Sequence, residues 1–395
     1  MLFFLKDYVV DPGRRELRSG RALLAVEPQV FDLLVYLIEN RERVVSKDDL
    51  IATVWQGRTV SDSTLDSRIN AVRKALGDSG RKQAMIRTIP RKGFRFVGAV
   101  RQGEEQKDAD SISPAATRTQ EISFCRTADD VNVAYAAVGS GPPMLKAANW
   151  LSHLEYDWES PVWTPLLQWL AQKTHLIRYD GRGNGLSDRD VPSISFADFV
   201  HDFETVANAT KLDRFAILGI SQGAAVAIDY AVRHPAHVSK LILFGGYAQG
   251  RNRRASAEEQ EKAHTFISMM RHGWGDEHSA FMRAFVSIFL PSGSPEQIKW
   301  FVDLQRMTTT ADNAVRIRLA CDDIDVVALL PQVTVPTLVL HCRYDNVVPL
   351  EQGRLMAASI PHARFVTLES ENHVLLSGEP AWSKFLDEVE AFLAE

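Results

Sequence analysis

The 395-residue chain has few cysteines and no long apolar run, and both shortages exclude whole classes of protein. Its three cysteines, Cys125, Cys321 and Cys342, are far apart and form no Cys-x-x-Cys pair. A disulfide framework and a cysteine zinc site are therefore excluded, and a reducing cytoplasm is favoured. No stretch approaches the 18 or so apolar residues that cross a bilayer. The opening MLFFLKDYVV lacks a small-residue cleavage site, which argues against a signal peptide.

Charge is unevenly distributed along a chain that is too long for one ordinary domain. Residues 1–100 hold 18 Lys and Arg against 12 Asp and Glu, whereas the rest holds 27 against 38. A basic N-terminal part followed by an acidic remainder indicates an anionic partner for residues 1–100, with nucleic acid as the first candidate. A small domain with a few surplus positive charges is the alternative. No motif predicts a metal or a nucleotide cofactor.

The segment Arg101–Gln120 lacks aromatic residues and has a single large aliphatic one. It cannot bury enough surface to offset its ordering entropy, so we expect a flexible linker over 101–120. This predicts two domains, 1–100 and 121–395.

The first domain shows strand, helix and hairpin patterns in turn. Strands are predicted at Tyr8–Asp11, Glu16–Ser19 and Arg21–Ala25, helices at Glu27–Asn40, from Ser46 to Trp55 and from Asp62 to Leu76, and a hairpin at Met85–Val97. In the third helix, one apolar stripe faces the core and consists of Leu65, Ile69, Val72 and Leu76. The polar and basic side chains off that stripe are Ser63, Ser67, Arg68, Arg73 and Lys74. The hairpin tip adds Arg91 and Lys92.

A helix with a basic outer face beside a basic hairpin suits the major groove and the flanking phosphates of double-stranded DNA. The segments EPQVFDLLVYLIENRERVVSKDDLIATVW, SDSTLDSRINAVRKALGD and IRTIPRKGFRF resemble the winged-helix domain of the OmpR/PhoB family. The resemblance implies that the helix Asp62–Leu76 reads bases and that Arg91 and Lys92 lie in the wing. A winged helix that makes only protein contacts is the alternative. Paired DNA half-sites suit a homodimer.

The second domain alternates strand and helix signals, which predicts an α/β fold with a mostly parallel, doubly wound sheet. The predicted strands are Met144–Ala147, Leu176–Tyr179, Phe215–Leu218, Leu241–Phe244, Thr337–His341 and Arg364–Leu368. The predicted helices are Val162–Gln172, Phe196–Ala209, Gln222–Arg233, Leu350–Ser359 and Ala381–Leu393.

The sequence Gly219-Ile220-Ser221-Gln222-Gly223 joins a predicted strand to a predicted helix. A sharp turn in this context exposes a serine hydroxyl at the end of the strand. Asp345 follows a late strand and His373 follows the last one, which gives the chain order Ser, Asp, His. We expect Ser221 to be the nucleophile, His373 the general base and Asp345 the group that orients the imidazole.

These residues resemble the α/β-hydrolase family, and the likeness runs from about Glu121 to the C-terminus. It implies a helical cap over about 247–330. The apolar stripe of this segment favours an apolar or aromatic ligand, and packing in the core is the alternative. The stripe consists of Phe266, Met269, Met270, Trp274, Phe281, Met282, Phe285, Phe289, Trp300 and Phe301. The likeness also implies an oxyanion hole made by the backbone N–H groups of Trp150 and Gln222. Where the family has His-Gly, this chain has Ala148-Asn149-Trp150, so we expect slow or absent chemistry and crowding by Trp150.

Two functions follow from this organisation. The first is a one-component transcription regulator whose hydrolase domain binds, and in one version hydrolyses, a small molecule that alters DNA binding. In response-regulator relatives the winged helix follows a receiver, and here it begins the chain, so we expect the signal to come from the second domain. The second is a working serine esterase, lactonase or amidase that carries a DNA-binding domain. A scaffold with a vestigial fold is disfavoured by the complete Ser-Asp-His set.

Overall fold

A computed structural model of the chain describes residues 2–5, 8–13, 15–19, 22–24, 26–55, 60, 62–78, 80, 82–90, 92–103, 120–254, 257–275 and 279–395. It divides into two compact units, Met1–Pro114 and Ala115–Glu395. Arg101–Gly103, the first residues of the predicted linker, form a strand of the first unit. Residues 104–119 of that linker lie outside the described residues.

In the first unit the described strands form a five-stranded antiparallel sheet and a hairpin, packed with three helices. The sheet has the order β4-β3-β2-β1-β7, and β5 pairs with β6. These elements are β1 (Leu2–Leu5), β2 (Tyr8–Asp11), β3 (Glu16–Ser19), β4 (Ala22–Leu24), α1 (Pro28–Glu39), α2 (Lys47–Val54), α3 (Asp62–Ala75), β5 (Ile86–Ile89), β6 (Gly93–Phe96) and β7 (Arg101–Gly103).

Local signals in the sequence account for most of these elements. Ser46 caps α2, as predicted: its hydroxyl accepts the Asp49 N–H at 3.0 Å, and the Asp49 carboxylate accepts the Ser46 N–H. The predicted apolar stripe of α3 is confirmed, since all four of its residues are buried. Strands β1 and β7 were not predicted, and they pair with each other across the sheet.

The second unit opens with two antiparallel strands and continues with alternating strands and helices. Its elements before the cap are β8 (Glu121–Arg126), β9 (Asn132–Val138), β10 (Pro143–Lys146), α4 (Leu154–Trp158), α5 (Thr164–Lys173), β11 (His175–Tyr179), α6 (Phe196–Thr210), β12 (Phe215–Ile220), α7 (Gly223–Arg233) and β13 (Val238–Phe244). The cap follows with α8 (Arg251–Arg254), α9 (Ala257–Gly273), α10 (Ala280–Phe289), α11 (Pro295–Thr308) and α12 (Ala311–Asp322). The chain then forms β14 (Thr337–Cys342), α13 (Leu350–Ser359), β15 (Arg364–Leu368) and α14 (Pro380–Ala394).

The described strands of this unit form an eight-stranded sheet with the order β15-β14-β13-β12-β10-β11-β9-β8. Strands β10 to β15 pair in parallel, and only β8 and β9 run antiparallel to their neighbours. Every residue of β12 and of β14 is buried, as expected for strands with helices on both faces. The carboxyl ends of β12, β14 and β15 therefore meet at one edge, where open α/β sheets place their ligands.

The apolar residues of the cap mostly pack in its core. Met270, Met282, Phe285 and Phe301 are buried in one cluster with residues of the main sheet. Met269 is half exposed instead. The stripe is thus explained by packing, and it gives little support to the prediction of an apolar ligand.

A buried arginine fixes the loop after β11. The Arg182 side chain is fully buried and bonds Asp202 of α6 at 2.8 Å and Asp129 of the β8–β9 turn at 2.7 Å. Asp198 lies 3.3 Å away on the same helix. This network joins the loop after β11, the β8–β9 turn and α6.

Candidate active site and DNA-binding face

Ser221 lies in the sharp turn between β12 and α7, as predicted. Its φ of 56° is in the left-handed region, which is unusual for a residue other than glycine. Small residues permit the turn: a Cβ on Gly219 would lie 2.7 Å from Ala224 Cα, and one on Gly223 would lie 2.9 Å from Ala148 O. The Ser221 N–H donates to Phe244 O at 3.0 Å, which ties the turn to the neighbouring strand.

Asp345 and His373 are brought together from the ends of β14 and β15. Asp345 Oδ2 lies 2.6 Å from His373 Nδ1, and both side chains are buried. The other carboxylate oxygen accepts the N–H groups of Val347 at 2.8 Å and Val348 at 3.0 Å. A carboxylate can only accept hydrogen bonds, so Asp345 is suited to hold the imidazole with its Nδ1 protonated.

Ser221 and His373, the remaining pair of the predicted triad, are not hydrogen-bonded to each other. The Ser221 N–H donates to Phe244 O at the carboxyl end of β13. A Cβ on Gly245, the residue after Phe244, would lie 3.4 Å from His373 Cε1. Ser221 and His373 therefore both lie beside the carboxyl end of β13. Within the described part of the chain, the buried His373 Nε2 has no hydrogen-bond partner. Catalytic hydrogen bonds are often long in structures without substrate.

The pKa of Asp345 reflects a balance of opposed effects. Burial raises this pKa, but the charge and hydrogen bond of His373 and the N–H of Val348 outweigh burial, so the pKa lies below its ordinary value. A second buried histidine, His341 of β14, lies 3.8 Å from the same carboxylate and bonds Val348 O at 3.0 Å. Burial lowers the pKa of His341, which favours its neutral form. Sequence reasoning missed His341 because it reads as an ordinary strand residue.

Trp150 and Gln222, whose backbone N–H groups are the predicted oxyanion donors, line the same cavity as Ser221. No hydrogen bond from the backbone N–H of Trp150 or of Gln222 reaches another described residue. The Trp150 ring packs against Trp274, at a centroid distance of 6.4 Å, and against Phe285, at 6.2 Å. This packing restricts rotation of the Trp150 side chain. Crowding of the site by the Trp150 side chain, expected from the Ala-Asn-Trp sequence, stays a prediction.

A buried charge cluster supports the segment that carries Trp150. The Lys146 ammonium bonds the Asn149 side-chain oxygen, and the Arg178 guanidinium lies 3.6 Å from Asp157. Burial lowers the pKa of Lys146 and raises that of Asp157. Sequence reasoning missed this cluster, because Lys146 and Arg178 sit in strands that read as apolar.

The cavity beside Ser221 is small and carries charged side chains. It measures about 20 Å³, room for about one water molecule. Three arginines line it, Arg251, Arg254 and Arg318, and Phe289 is the member of the predicted apolar stripe that reaches it. A second cavity of about 440 Å³ adjoins it and shares two of these arginines. The arginines were not predicted, since their positions give no periodic signal.

The exposed face of α3 and the hairpin tip carry only part of the predicted DNA-contacting set. Ser67, Lys74 and Lys92 are exposed, and Arg68 is partly exposed and bonds the Glu27 carboxylate. The Ser63 side chain and Arg91 lie outside the described residues.

Arg73 differs from the prediction, because it points into the unit. It is 5% exposed, and its guanidinium donates to Ile86 O at 3.0 Å and to Thr88 Oγ1 at 2.9 Å. Asp78, also buried, accepts the N–H groups of Ala84 and Met85 at 2.9 Å. Arg73 therefore joins α3 to the hairpin, and we leave it out of the proposed DNA contacts.

No group of three or more His, Cys, Asp or Glu side chains is placed to hold a metal ion among the residues that the structure describes. Over the same residues, no helix has both the length and the apolar character that crossing a membrane requires.

Known proteins resemble the two units separately. Residues 20–96 match the family described as transcriptional regulatory protein, C terminal, and residues 153–380 match the alpha/beta hydrolase fold family. The transcriptional activator CadC of Escherichia coli is 29% identical over 92 residues, which are 23% of this chain and 18% of that protein. The AB hydrolase superfamily protein YisY of Bacillus subtilis is 24% identical over 252 residues, 63% of this chain and 91% of that protein.

A solved structure extends the second likeness to three dimensions. A hydrolase from Pseudomonas aeruginosa superposes with a TM-score of 0.58 at 25% identity, over 70% of this chain and 99% of that one. The fold predicted for each part of the sequence is thereby confirmed. The chain belongs to the alpha/beta hydrolase fold family, and it carries in front of that fold an OmpR/PhoB-type winged-helix domain of transcriptional regulators.

Proposed function

We propose that this protein is a one-component transcription regulator in which the hydrolase unit binds a small molecule and thereby changes how the winged helix binds DNA. The observation that carries the proposal is the presence on one chain of a DNA-binding regulatory domain and a hydrolase unit with a cavity at Ser221. A ligand pocket is useful to a DNA-binding domain only if binding of the ligand changes the affinity of that domain for DNA. We expect the active form to be a homodimer on paired half-sites.

Serine hydrolysis is the second candidate, and a specific set of contacts favours it. Ser221 has the φ of a strained turn, and Asp345 bonds His373 at 2.6 Å. Trp150 and Gln222 line the same cavity as Ser221, and their backbone N–H groups are the oxyanion donors that this function would use. An esterase, lactonase or amidase would use Ser221 as nucleophile and His373 as general base. The two functions are compatible, because a sensor can also hydrolyse its ligand.

Occupying the cavity is expected to change DNA affinity by about 5–150-fold, the range typical of coupled sites. DNA duplexes are first selected from a random pool with the full-length chain. Their affinity is then measured by fluorescence anisotropy for untreated protein, for protein with a fluorophosphonate on Ser221, and for Phe289→Trp, which fills the cavity without chemistry. Fluorophosphonate-treated Ser221→Ala is the control for labelling elsewhere. Equal DNA affinity in all these forms would contradict the regulatory function and leave serine hydrolysis as the function of the second unit.

The first unit is expected to bind the selected duplex with an affinity that falls steeply as salt rises. The reason is that lysines at the phosphates release condensed counterions, with a logarithmic slope of about −0.9 per phosphate contact. Lys74→Ala and Lys92→Ala should each reduce the size of that slope by about 1. Arg126→Ala removes an exposed positive charge in the second unit, where it pairs with Asp130 at 2.9 Å, and should leave the slope unchanged. Salt-insensitive binding would count against direct contact with DNA.

A further inference from the structure

His341, the last residue but one of β14, is buried beside the aspartate of the predicted triad and is not itself a triad member. Its ring is fully buried. Its Nε2 lies 3.0 Å from Val348 O and 3.8 Å from Asp345 Oδ2. Because both of these oxygens are acceptors, the hydrogen of the neutral imidazole is placed on Nε2 and is donated to Val348 O. His341 is therefore a fixed hydrogen-bond donor next to the triad.

The other edge of the His341 ring is consistent with this tautomer. Within the described part of the chain, His341 Nδ1 has no hydrogen-bond partner. Gly353 of α13 packs on this edge, since a Cβ at Gly353 would lie 2.7 Å from Nδ1 and 2.9 Å from Cγ. A hydrogen on Nδ1 would be buried without an acceptor, which is unfavourable. The absence of a side chain at Gly353 thus leaves room for a ring whose only donor points at Val348.

The contact from His341 also closes the loop that carries Asp345. Val348 accepts the His341 hydrogen bond with its carbonyl and donates its own N–H to Asp345 Oδ1 at 3.0 Å. The Val347 N–H donates to the same carboxylate oxygen at 2.8 Å. With Oδ1 held by two N–H groups, Oδ2 is directed to His373 Nδ1, at 2.6 Å. His341 therefore holds the residue whose N–H helps to orient the carboxylate.

From these contacts we infer that His341 is a positioning residue for hydrolysis, which acts by holding Val348 and through it the Asp345 carboxylate. The inference deepens the second candidate function and rests on it, because a positioned aspartate matters only if His373 acts as a base. A histidine that merely filled the core would be replaced by any side chain of similar volume. A positioning histidine needs its donor at Nε2, so the two roles predict different orders of activity among substitutions.

Three substitutions separate the donor from the volume of the ring. His341→Gln places an amide N–H near the position of Nε2, His341→Asn places one near Nδ1, and His341→Phe keeps a ring without a donor. In the full-length protein, we expect kcat for 4-nitrophenyl esters to fall about 100-fold in the Asn and Phe variants with KM unchanged. A small misplacement of a catalytic group costs about this much. His341→Gln should keep most of the wild-type kcat.

A second histidine provides the matched control. His175, at the amino end of β11, also bonds a carbonyl, Gly139 O at 3.0 Å from its Nδ1. His175→Phe removes that bond at a distance from the triad and should keep the wild-type kcat. The midpoint of thermal unfolding checks that each variant is folded. If His341→Phe does not fold, the comparison of His341→Gln with His341→Asn decides alone.

A measurement without turnover separates this inference from hydrolysis itself. The proton between His373 and Asp345 is expected to give a low-field signal in the one-dimensional proton NMR spectrum, assigned by its loss in His373→Gln. The signal should keep its position in His341→Gln and should move or vanish in His341→Asn. This pattern in a protein without turnover supports the positioning role and contradicts hydrolysis.

The opposite outcomes overturn the positioning role. Turnover by the wild type with equal kcat in all three His341 variants overturns it and leaves hydrolysis in place. An equal loss of kcat in His341→Gln and His341→Asn overturns it as well, because the ring and not its donor would then matter. So does a low-field signal that is absent from the wild type or unchanged in His341→Asn.

Discussion

Ser221→Ala is expected to abolish covalent labelling by a fluorophosphonate and to lower kcat for ester hydrolysis by about 10⁴–10⁶-fold. Removing a serine nucleophile from a triad costs about this much, because the histidine and aspartate then have no hydroxyl to activate. KM should change little, since the wall residues that hold the ester remain. The measurement is labelling followed by mass spectrometry of the intact chain, together with steady-state hydrolysis of 4-nitrophenyl esters.

A serine in the cap provides the matched control for this prediction. Ser287 lies on α10, and its hydroxyl donates to Ala284 O at 2.7 Å within its own helix. Ser287→Ala should keep full labelling and full activity. If the wild type itself shows no labelling and no turnover, Ser221 is not a working nucleophile, and the hydrolase unit is a receptor only.

The segment that carries Trp150 limits the rate of ester hydrolysis by the wild type, because it supplies one of the two proposed oxyanion donors. Trp150 lines the cavity with Ser221, and its ring is packed between aromatic residues of the cap. The backbone at Trp150 is consequently positioned by side-chain packing, where the family uses a glycine. Loss of one oxyanion donor typically costs about 100–1,000-fold in rate. A slow enzyme is compatible with these contacts, and slow turnover would prolong occupancy of a sensor.

The sequence predicted α1 to α3, the helices α5, α6, α7, α13 and α14, and the parallel strands β10 to β15, because their signals are local. It did not predict α4, β8 or β9, and it gave the cap only as a helical segment. The bounds of β15 and α13 agree with the prediction at both ends, and the capping serine at 46 was identified from its type and position. Strand β1 was missed because Leu2–Leu5 is a short apolar run with no alternation. Its partner β7 was missed because Arg101–Gly103 is polar and pairs with a strand from the other end of the unit, which no local pattern shows.

The candidate site was only partly predictable for the same reason. Ser221, Asp345 and His373 follow strands in a recognisable order, so their types and positions are visible in the sequence. Arg251 and Arg254 belong to the cap, where the path of the chain alone decides which side chains reach the cavity. Burial of Arg73 likewise depends on the hairpin that packs over it, and a helical pattern cannot distinguish it from an exposed basic residue.

Asp345→Asn is expected to lower kcat about 10⁴-fold while the fold is retained. In serine triads this substitution leaves the geometry nearly intact but favours the wrong tautomer of the histidine. Here Asp345 Oδ2 accepts from His373 Nδ1 at 2.6 Å, and an amide nitrogen at that place would donate instead. The oxygen of the asparagine can still accept the N–H groups of Val347 and Val348, which keeps the loop in place. The measurement is kcat from steady-state hydrolysis, with the midpoint of thermal unfolding as the test of folding.

The pH dependence of kcat distinguishes the loss of the aspartate that orients His373 from the loss of a negative charge at another position. Because the pKa of Asp345 lies below its ordinary value, the carboxylate stays ionised at pH values where a free aspartate begins to bind a proton. Acidification through that interval should therefore leave Asp345 charged in the wild type, and the activity lost by Asp345→Asn should not return at any pH. Glu371→Gln changes an exposed acid two residues before His373 and should keep wild-type kcat. An Asp345→Asn variant with more than a tenth of wild-type kcat would show that the aspartate does not orient the base, and the contacts between Asp345 and His373 would then be structural.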